Sequence, residues 1–199
     1  MNYIFGIGGF GREAMECYKD AYKLGAEFMV DDQYHVEKVN GISVRKLSEF
    51  DVSKDKMFIA VGDPKKRKEI VNRLPKETQY FNIIHPSAVI GHGVLLGHGI
   101  IITAGCIVTC NIELGNHAHL NLCTTIGHDC KIGDYFTTAP GVNISGNCDM
   151  GECVYFGTNA SIKQGVRIGN NITIGMGMTV TKPIGYDGVY INKFEIVKL

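Results

Sequence analysis

From residue 84 to residue 180 an apolar residue returns at every sixth position: Ile84, Ile90, Leu96, Ile102, Val108, Leu114, Leu120, Ile126, Ile132, Thr138, Ile144, Met150, Phe156, Ile162, Ile168, Ile174 and Val180. Only Thr138 departs from the apolar rule. A period of six fits neither an amphipathic helix nor an alternating strand. It fits a coiled parallel ladder of short strands with a tight turn in every hexad. Three hexads close one triangular coil, so residues eighteen apart stack and the anchors line up as a continuous core. Nine of the seventeen anchors are followed by glycine (Gly91, Gly97, Gly115, Gly127, Gly133, Gly151, Gly157, Gly169, Gly175). These glycines are expected to relieve backbone strain at the turns. Four residues after an anchor a small or apolar residue recurs, as at Ala88, Val94, Cys106, Ala118, Val142, Val154 and Ala160.

The first eighty residues differ in kind. Tyr3–Phe5 reads as a strand, followed by the glycine-rich turn Gly6-Ile7-Gly8-Gly9-Phe10-Gly11. Residues 12–24 show helical spacing (Ala14, Cys17, Tyr18, Ala21, Leu24), with Gly25 as the left-handed stop. Strands are expected at 27–30 and 57–61, and Pro64 opens a second helix running to Leu74. The pattern is a strand-helix-strand unit with a parallel sheet, about half of a dinucleotide-binding fold. The expected organisation is an α/β half-Rossmann domain over 1–82, then a parallel β-helix and C-terminal tail over 83–199.

Composition narrows the function classes. Twenty basic residues balance twenty acidic ones, which argues against a nucleic-acid or membrane-surface binder. No signal peptide is read at the start, and no apolar run approaches the roughly 20 residues of a membrane helix. The seven cysteines form no Cys-x-x-Cys pair, and several fall at the inward position of the coil. A reducing cytoplasm and no metal are therefore expected.

The glycine turn matches G-x-G-x-x-G, with Asp31 and Asp32 about twenty positions on. Taken alone it suggests NAD. Its physical content is more general: glycines let a phosphate approach a helix N-terminus, and the carboxylate can meet a ribose or a base edge. The missing second half of a dinucleotide fold favours a mononucleotide or nucleotide-sugar, and a purely structural turn is the alternative.

The glycine turn with Arg12, the Asp31-Asp32 pair and the hexad coil together resemble a family of bacterial sugar acetyltransferases. Its members include sialic acid O-acetyltransferases and UDP-4-amino-sugar N-acetyltransferases. The most specific segment is Ile126-Gly127-His128-Asp129-Cys130-Lys131-Ile132-Gly133-Asp134, with Pro140-Gly141-Val142 and Ser145-Gly146-Asn147 after it. The resemblance implies a left-handed β-helix, a homotrimer, and acetyl-CoA held in the groove between neighbouring subunits. It implies His128 as general base with Asp129 as its partner, and places Gly146, Thr158 and Met176 against acetyl-CoA. It also implies Asn121 in the acceptor pocket; the half-Rossmann part is expected to hold the nucleotide with Gly8, Gly9, Phe10, Asp31 and Asp32, together with Gly62. Many family members carry a second histidine nine residues after the base, contacting acetyl-CoA. Here that residue is Thr137, whose hydroxyl can still donate a hydrogen bond. The tail, Gly188 to Lys193, departs from the family's usual Gly-x-Pro-Ala-Lys pattern.

The residues themselves support His128 among the seven histidines. It stands two after its anchor, at an outward-facing corner, and Gly146 stacks one coil further on. A base beside an exposed amide suits acyl transfer. The columns 128/146 and 158/176 are expected to line one groove or its facing wall. His92 shares the His128 column with Cys110 between them. Coils about 4.8 Å apart leave the two histidines too distant for one tetrahedral metal site. His98, His117 and His119 are read at turn positions facing a neighbouring subunit, His85 as structural and His35 in a polar loop. Lys163, Arg167 and Lys182 are the cations nearest the coil end, suited to CoA phosphates.

The leading expectation is acetyl-CoA-dependent N-acetylation of a UDP- or dTDP-linked 4-amino sugar for surface glycan synthesis. The alternatives are O-acetylation of sialic acid or a related sugar, and a non-catalytic nucleotide-binding trimer. A zinc-dependent γ-type carbonic anhydrase, similar in coil only, would need His-x-x-x-x-His, and Cys123 stands five before His128.

Overall fold

The computed structural model describes residues 1–192, so the tail from Lys193 onward lies outside the described residues. The N-terminal part is a six-stranded sheet in the order β3-β4-β2-β1-β5-β6. Its strands are β1 (Asn2–Phe5), β2 (Glu27–Val30), β3 (Lys38–Val39), β4 (Ile42–Lys46), β5 (Lys56–Ile59) and β6 (Gln79–Tyr80). All pair in parallel except β3 with β4. That hairpin turns on Asn40 (φ 50°) and Gly41 (φ 79°), the Asn-Gly pair that two-residue hairpin turns demand. The sheet is thus wider than the three strands read from sequence.

Helix α1 (Gly9–Tyr22) starts inside the glycine-rich turn rather than at Arg12. It stops on Lys23, whose φ of 51° supplies the left-handed cap expected of Gly25; the Lys23 amide donates to Lys19 O. The turn is as tight as its glycines imply, since a Cβ on Gly11 would lie 2.1 Å from Gly6 O. Helix α2 (Pro64–Arg73) is capped by Asp63, which accepts from the amides of Lys65 and Lys66.

From Ile83 onward the chain is a three-sided parallel solenoid. One side stacks seven short strands including Ile83–Ile84, Ile101–Ile102, His119–Leu120, Thr137–Thr138 and Tyr155–Phe156; we call it the first side. The second stacks six, including Ile107–Val108, Thr125–Ile126, Asn143–Ile144 and Ser161–Ile162. The third stacks five, including Glu113–Leu114, Lys131–Ile132 and Asp149–Met150. The pairings join residues eighteen apart, as Thr125 with Asn143, except the last of the first side, where Ile172 pairs with Gly188. The anchors from Ile102 to Val180 are buried, with Cys106, Cys130, Cys148 and Val154 filling the second inward position. Thr138 is buried too, and its hydroxyl pairs with Thr124 Oγ1 at 2.7 Å and accepts from the Asn121 amide.

The glycines after the anchors have a different reason from the expected one. Positive φ falls three residues after the anchor, at Gly93, Gly105, Asn111, Asp129, Asn147 or Asn159. The glycine directly after the anchor instead sits against the next coil: a Cβ on Gly91 would lie 1.7 Å from Thr109 O, and one on Gly127 2.6 Å from Gly146 N. Close stacking, not turn strain, demands those glycines.

The N-terminal part packs on the outer face of the first side, so Ile83 and Ile101 join its core with Tyr18, Phe28 and Phe58. His119 is fully buried there, its ring 5.0 Å from Phe10 and 5.3 Å from Phe58. His117 stacks on Tyr135 and meets Tyr80 edge-on, and His98 stacks on Tyr80. His117 and His119 do not take the neighbour-facing role expected of them, since the chain's own N-terminal part covers them, whereas His98 stays exposed.

Candidate active site

His128 and Asp129 occupy the corner between the second and third sides, between the strands Thr125–Ile126 and Lys131–Ile132. His128 Nδ1–H donates to Asp129 Oδ2 at 2.7 Å, a tautomer fixed by the acceptor-only carboxylate. Asp129 also accepts from Asn111 Nδ2 at 3.2 Å. Those two hydrogen bonds, the one from His128 first, hold its carboxyl below the usual range. Among the described residues Nε2 has no partner and is left as an acceptor on a ring about half exposed. The imidazole lies across Gly146: a Cβ there would come 2.7 Å from both Cε1 and Nε2. The Gly146 amide donates to no group among the described residues, while its carbonyl accepts from Gly165. A free base nitrogen and an unpaired N–H therefore meet at one corner, but the amide is not exposed as expected: Gly146 is buried beneath the half-exposed ring.

A second group of expected residues converges elsewhere. A cleft of about 840 Å³ opens where the N-terminal part meets the first side. Gly9, Phe10, Gly62, Asn121, Thr137 and Thr158 all line it. The N-termini of α1 and α2 both reach its wall, at Gly9 and at Asp63-Pro64, but only α1 offers uncapped backbone N–H groups there, since Asp63 already takes those of Lys65 and Lys66. Added Cβ atoms on Gly8, Gly9 or Gly62 would meet nothing within 4 Å, so the turns are open to a ligand. Met176, 72% exposed, continues this wall through a shallow groove of about 330 Å³ with Thr158, Asn159 and Gly177.

The two groups do not meet within the chain. Asn121, Thr158 and Met176 belong to the corner between the first and second sides; His128 and Gly146 belong to the next corner, with the whole second side between. The 128/146 and 158/176 columns thus line no common groove of one chain. Lys182 stands in the His128 column and Lys163 beside it, both exposed, whereas Arg167 faces outward on the third side.

Asp31 and Asp32 follow β2, beside the ends of β1 and β5 that lead into the glycine turns, but line neither the large cleft nor its neighbour. Asp31 pairs with Arg73 at 2.7 Å, and Asp32 accepts from the Ser48 amide at 3.0 Å. Hydrogen bonding from Ser48 keeps the Asp32 carboxyl below its ordinary value. His35 Nε2 lies 3.2 Å from Val44 O, and His85 Nε2 3.3 Å from Asp20. No cluster of three or more metal-binding side chains occurs among the described residues.

Sequence reading passed over Arg67 of α2. It is 0% exposed and spans the junction: Nε–H donates to His117 O, Nη1–H to Val61 O, and Nη2–H to Tyr135 O and Thr137 Oγ1. Among the described residues no carboxylate is one of its hydrogen-bond partners. Burial alone pushes it down to about 9, which leaves it charged at neutral pH.

Residues 3–74 match the family model described as the PglD N-terminal domain. A curated relative, GDP-perosamine N-acetyltransferase of Escherichia coli O157:H7, is 33% identical over 146 residues, 69% of this chain; the chain spans 66% of that relative's length. The solved structure of WeeI from Acinetobacter baumannii AYE superposes with a TM-score of 0.89 at 30% identity over 96% of both chains. A mutant perosamine N-acetyltransferase from Caulobacter crescentus, solved with CoA and GDP-perosamine, is similar at a TM-score of 0.86 and 25% identity, covering 96% of this chain and 93% of its own. With the coil, the glycine turn and the His-Asp corner on one chain, these likenesses show that the chain belongs to the hexapeptide-repeat, left-handed β-helix family of sugar acetyltransferases.

Proposed function

We propose that this protein N-acetylates a 4-amino sugar carried on a nucleotide, with acetyl-CoA as donor and His128 as general base. The observation that carries the reading is the His128 ring: Nδ1 tied to Asp129, Nε2 free, and the unpaired Gly146 amide directly beneath it. In a ternary complex the sugar nitrogen attacks the acetyl carbonyl while Nε2 takes a proton from it. The Gly146 N–H steadies the tetrahedral oxyanion. Collapse breaks the C–S bond, and the imidazolium returns its proton to the CoA thiolate. No protein nucleophile is required.

The nucleotide end belongs in the cleft, with its phosphates toward the uncapped start of α1 at Gly8-Gly9-Phe10 and with Gly62 on the facing turn. Residues 1–82 act as the nucleotide-sugar-binding part on this reading, with Asp31 and Asp32 free to meet the base or ribose only if their present partners give way. Thr137, Thr158 and Met176 would hold acetyl-CoA along the same wall. The His128 corner and the cleft are separated in one chain, so the reaction runs between copies: the corner of one subunit faces the cleft of the next in a homotrimer. Exposed Val89 and Ile107 on the intervening second side suit a face that packs against another copy. Seven unpaired cysteines favour a reducing, cytoplasmic setting.

Relatives named for GDP-perosamine add GDP-linked sugars to the UDP and dTDP ones expected from the sequence. The test is thiol release from acetyl-CoA against GDP-, UDP- and dTDP-linked 4-amino sugars and free sialic acid, with His128→Ala as control. Turnover on a nucleotide amino sugar that vanishes in the variant is the expected result. Turnover on sialic acid alone would move the reading to O-acetylation, and silence without acetyl-CoA binding would leave a non-catalytic assembly.

A further inference from the structure

We infer that Cys130 is a positioning residue: its buried thiol holds the Ser145–Gly146 peptide so that the Gly146 N–H faces the space beside the His128 ring. The inference rests on the acyl-transfer reading above and names what aims its oxyanion donor. Cys130 is 0% exposed and stands two residues after His128. Its Sγ–H donates to Ser145 O at 3.3 Å. A thiol has one proton to give, and the other acceptors nearby have weaker claims on it. His128 O lies farther, at 3.7 Å, and already accepts the Asn147 amide at 2.8 Å. The neighbouring Cys148 sulfur is a poor acceptor. Among the described residues Ser145 O accepts from nothing else.

Ser145 C=O and Gly146 N–H belong to one peptide unit. The bond is trans, so its two polar groups point in opposite directions. Anchoring the carbonyl to a thiol in the core therefore turns the N–H the other way, toward the ring that lies across Gly146. At the corner between the third and first sides the equivalent amides are already used. His98, Asn116 and Glu152 donate theirs to the side-chain oxygens of Asn116, Asp134 and Asn170, eighteen residues on. Eighteen residues after Gly146 stands Gln164, and no side-chain oxygen among the described residues takes the Gly146 amide. That N–H is thus both aimed and unspent. A hydrogen bond at the carbonyl end also polarises the amide, which strengthens the donor at the other end.

The test is steady-state kinetics on Cys130→Ser, Cys130→Ala and Cys130→Val, with melting temperatures alongside. Alanine and valine both occur at this inward position elsewhere in the coil, as Ala160 and Val166, so neither is foreign to the fold. Serine keeps a donor, alanine removes it, and valine removes it while filling the space. Cys130→Ala and Cys130→Val should each lower kcat about fivefold with both KM values unchanged, the sign of a contact made in the transition state alone. Cys130→Ser should stay within about twofold of wild type. Cys148→Ala is the control: its thiol meets Lys163 O at 3.5 Å in the same way, but the peptide it holds is one coil beyond the ring. It should lower the melting temperature as Cys130→Ala does and leave kcat within about twofold of wild type. Unchanged kcat in Cys130→Ala, rescue by valine rather than serine, or equal kcat losses at 130 and 148 overturns the inference. Should Cys130→Val fail to fold, the alanine and serine variants still decide. A wild type without acetyl transfer refutes the proposed activity itself, a result distinct from active enzyme indifferent to Cys130.

Discussion

Gly146→Ala isolates the site's geometry from its fold. The position has ordinary backbone angles, so alanine meets no conformational barrier there. The added Cβ would lie 2.7 Å from His128 Cε1 and Nε2 and 3.0 Å from Cδ2. Ordinary carbon contact begins near 3.4 Å, so the ring must yield by about 0.7 Å or swing away. The side chain is about half exposed, and swinging outward is easier than distorting two coils. The displaced ring keeps its chemistry but loses its placement over the Gly146 amide and strains its 2.7 Å bond to Asp129. A misplacement near 1 Å typically costs about a hundredfold in rate. The expected outcome is kcat down about a hundredfold, a melting temperature within about 2 °C of wild type, and acetyl-CoA binding little changed. Thiol release and thermal unfolding measure all three. A variant that keeps more than about a third of wild-type kcat would refute the claim that base and amide act as one unit.

Asp129→Asn should leave the fold intact, since asparagine accepts the left-handed φ of 59° that this corner requires, yet lower kcat about a hundredfold by releasing the ring's tautomer; unchanged kcat would remove the carboxylate from the mechanism. The buried histidines make the junction acid-sensitive. Burial first, then the neighbouring His98 and Arg67 charges, pushes His117 down to about 3, and burial lowers His119 well below its ordinary value. Below about pH 6.5, and down to about pH 3 for His117, the unfolded chain binds more protons than the folded one, so stability falls on acidification, by about 1.4 kcal/mol per pH unit for each such histidine. His119→Phe, packed between Phe10 and Phe58, should flatten the melting-temperature decline between pH 7 and 5, and an unaltered slope would discard this account.

What the sequence disclosed followed from how each feature is encoded. The coil was legible because every strand repeats the same burial, so one period carries the whole architecture. The period showed where glycines fall but not why: the Gly91–Thr109 approach is set by coil spacing, which no single hexad records. The hairpin at β3–β4 was announced by Asn40-Gly41, a marker present in the sequence and passed over. His128 and Asp129 were legible as neighbours at a corner. Arg67 was not, because its acceptors are mostly carbonyls fifty or more residues away, and a carbonyl leaves no trace in side-chain identity. His119 misled for a related reason. Its place outside the anchor series reads as facing a neighbouring subunit, and only packing of the N-terminal part turns that face into core.

The separation of the His128 corner from the cleft makes a prediction that no single-chain site can match. If base and cleft come from different copies, two inactive variants should repair one another. His128→Ala destroys the corner and spares the cleft. Gly9→Trp fills the cleft, since nothing lies within 4 Å of the Gly9 Cβ direction, and spares the corner two sides away. In trimers assembled at random from equal amounts, a working site needs its corner from a Gly9→Trp chain and its cleft from a His128→Ala chain. Each choice is met half the time, so about a quarter of the sites should work. Co-refolding the two variants and measuring thiol release should therefore recover about a quarter of wild-type turnover, while each variant refolded alone stays inactive. Should the mixture be as silent as its parts, with trimers confirmed by light scattering, base and cleft would have to meet within one chain. That would require the second side, six stacked strands of intact hydrogen-bonded ladder, to open during turnover.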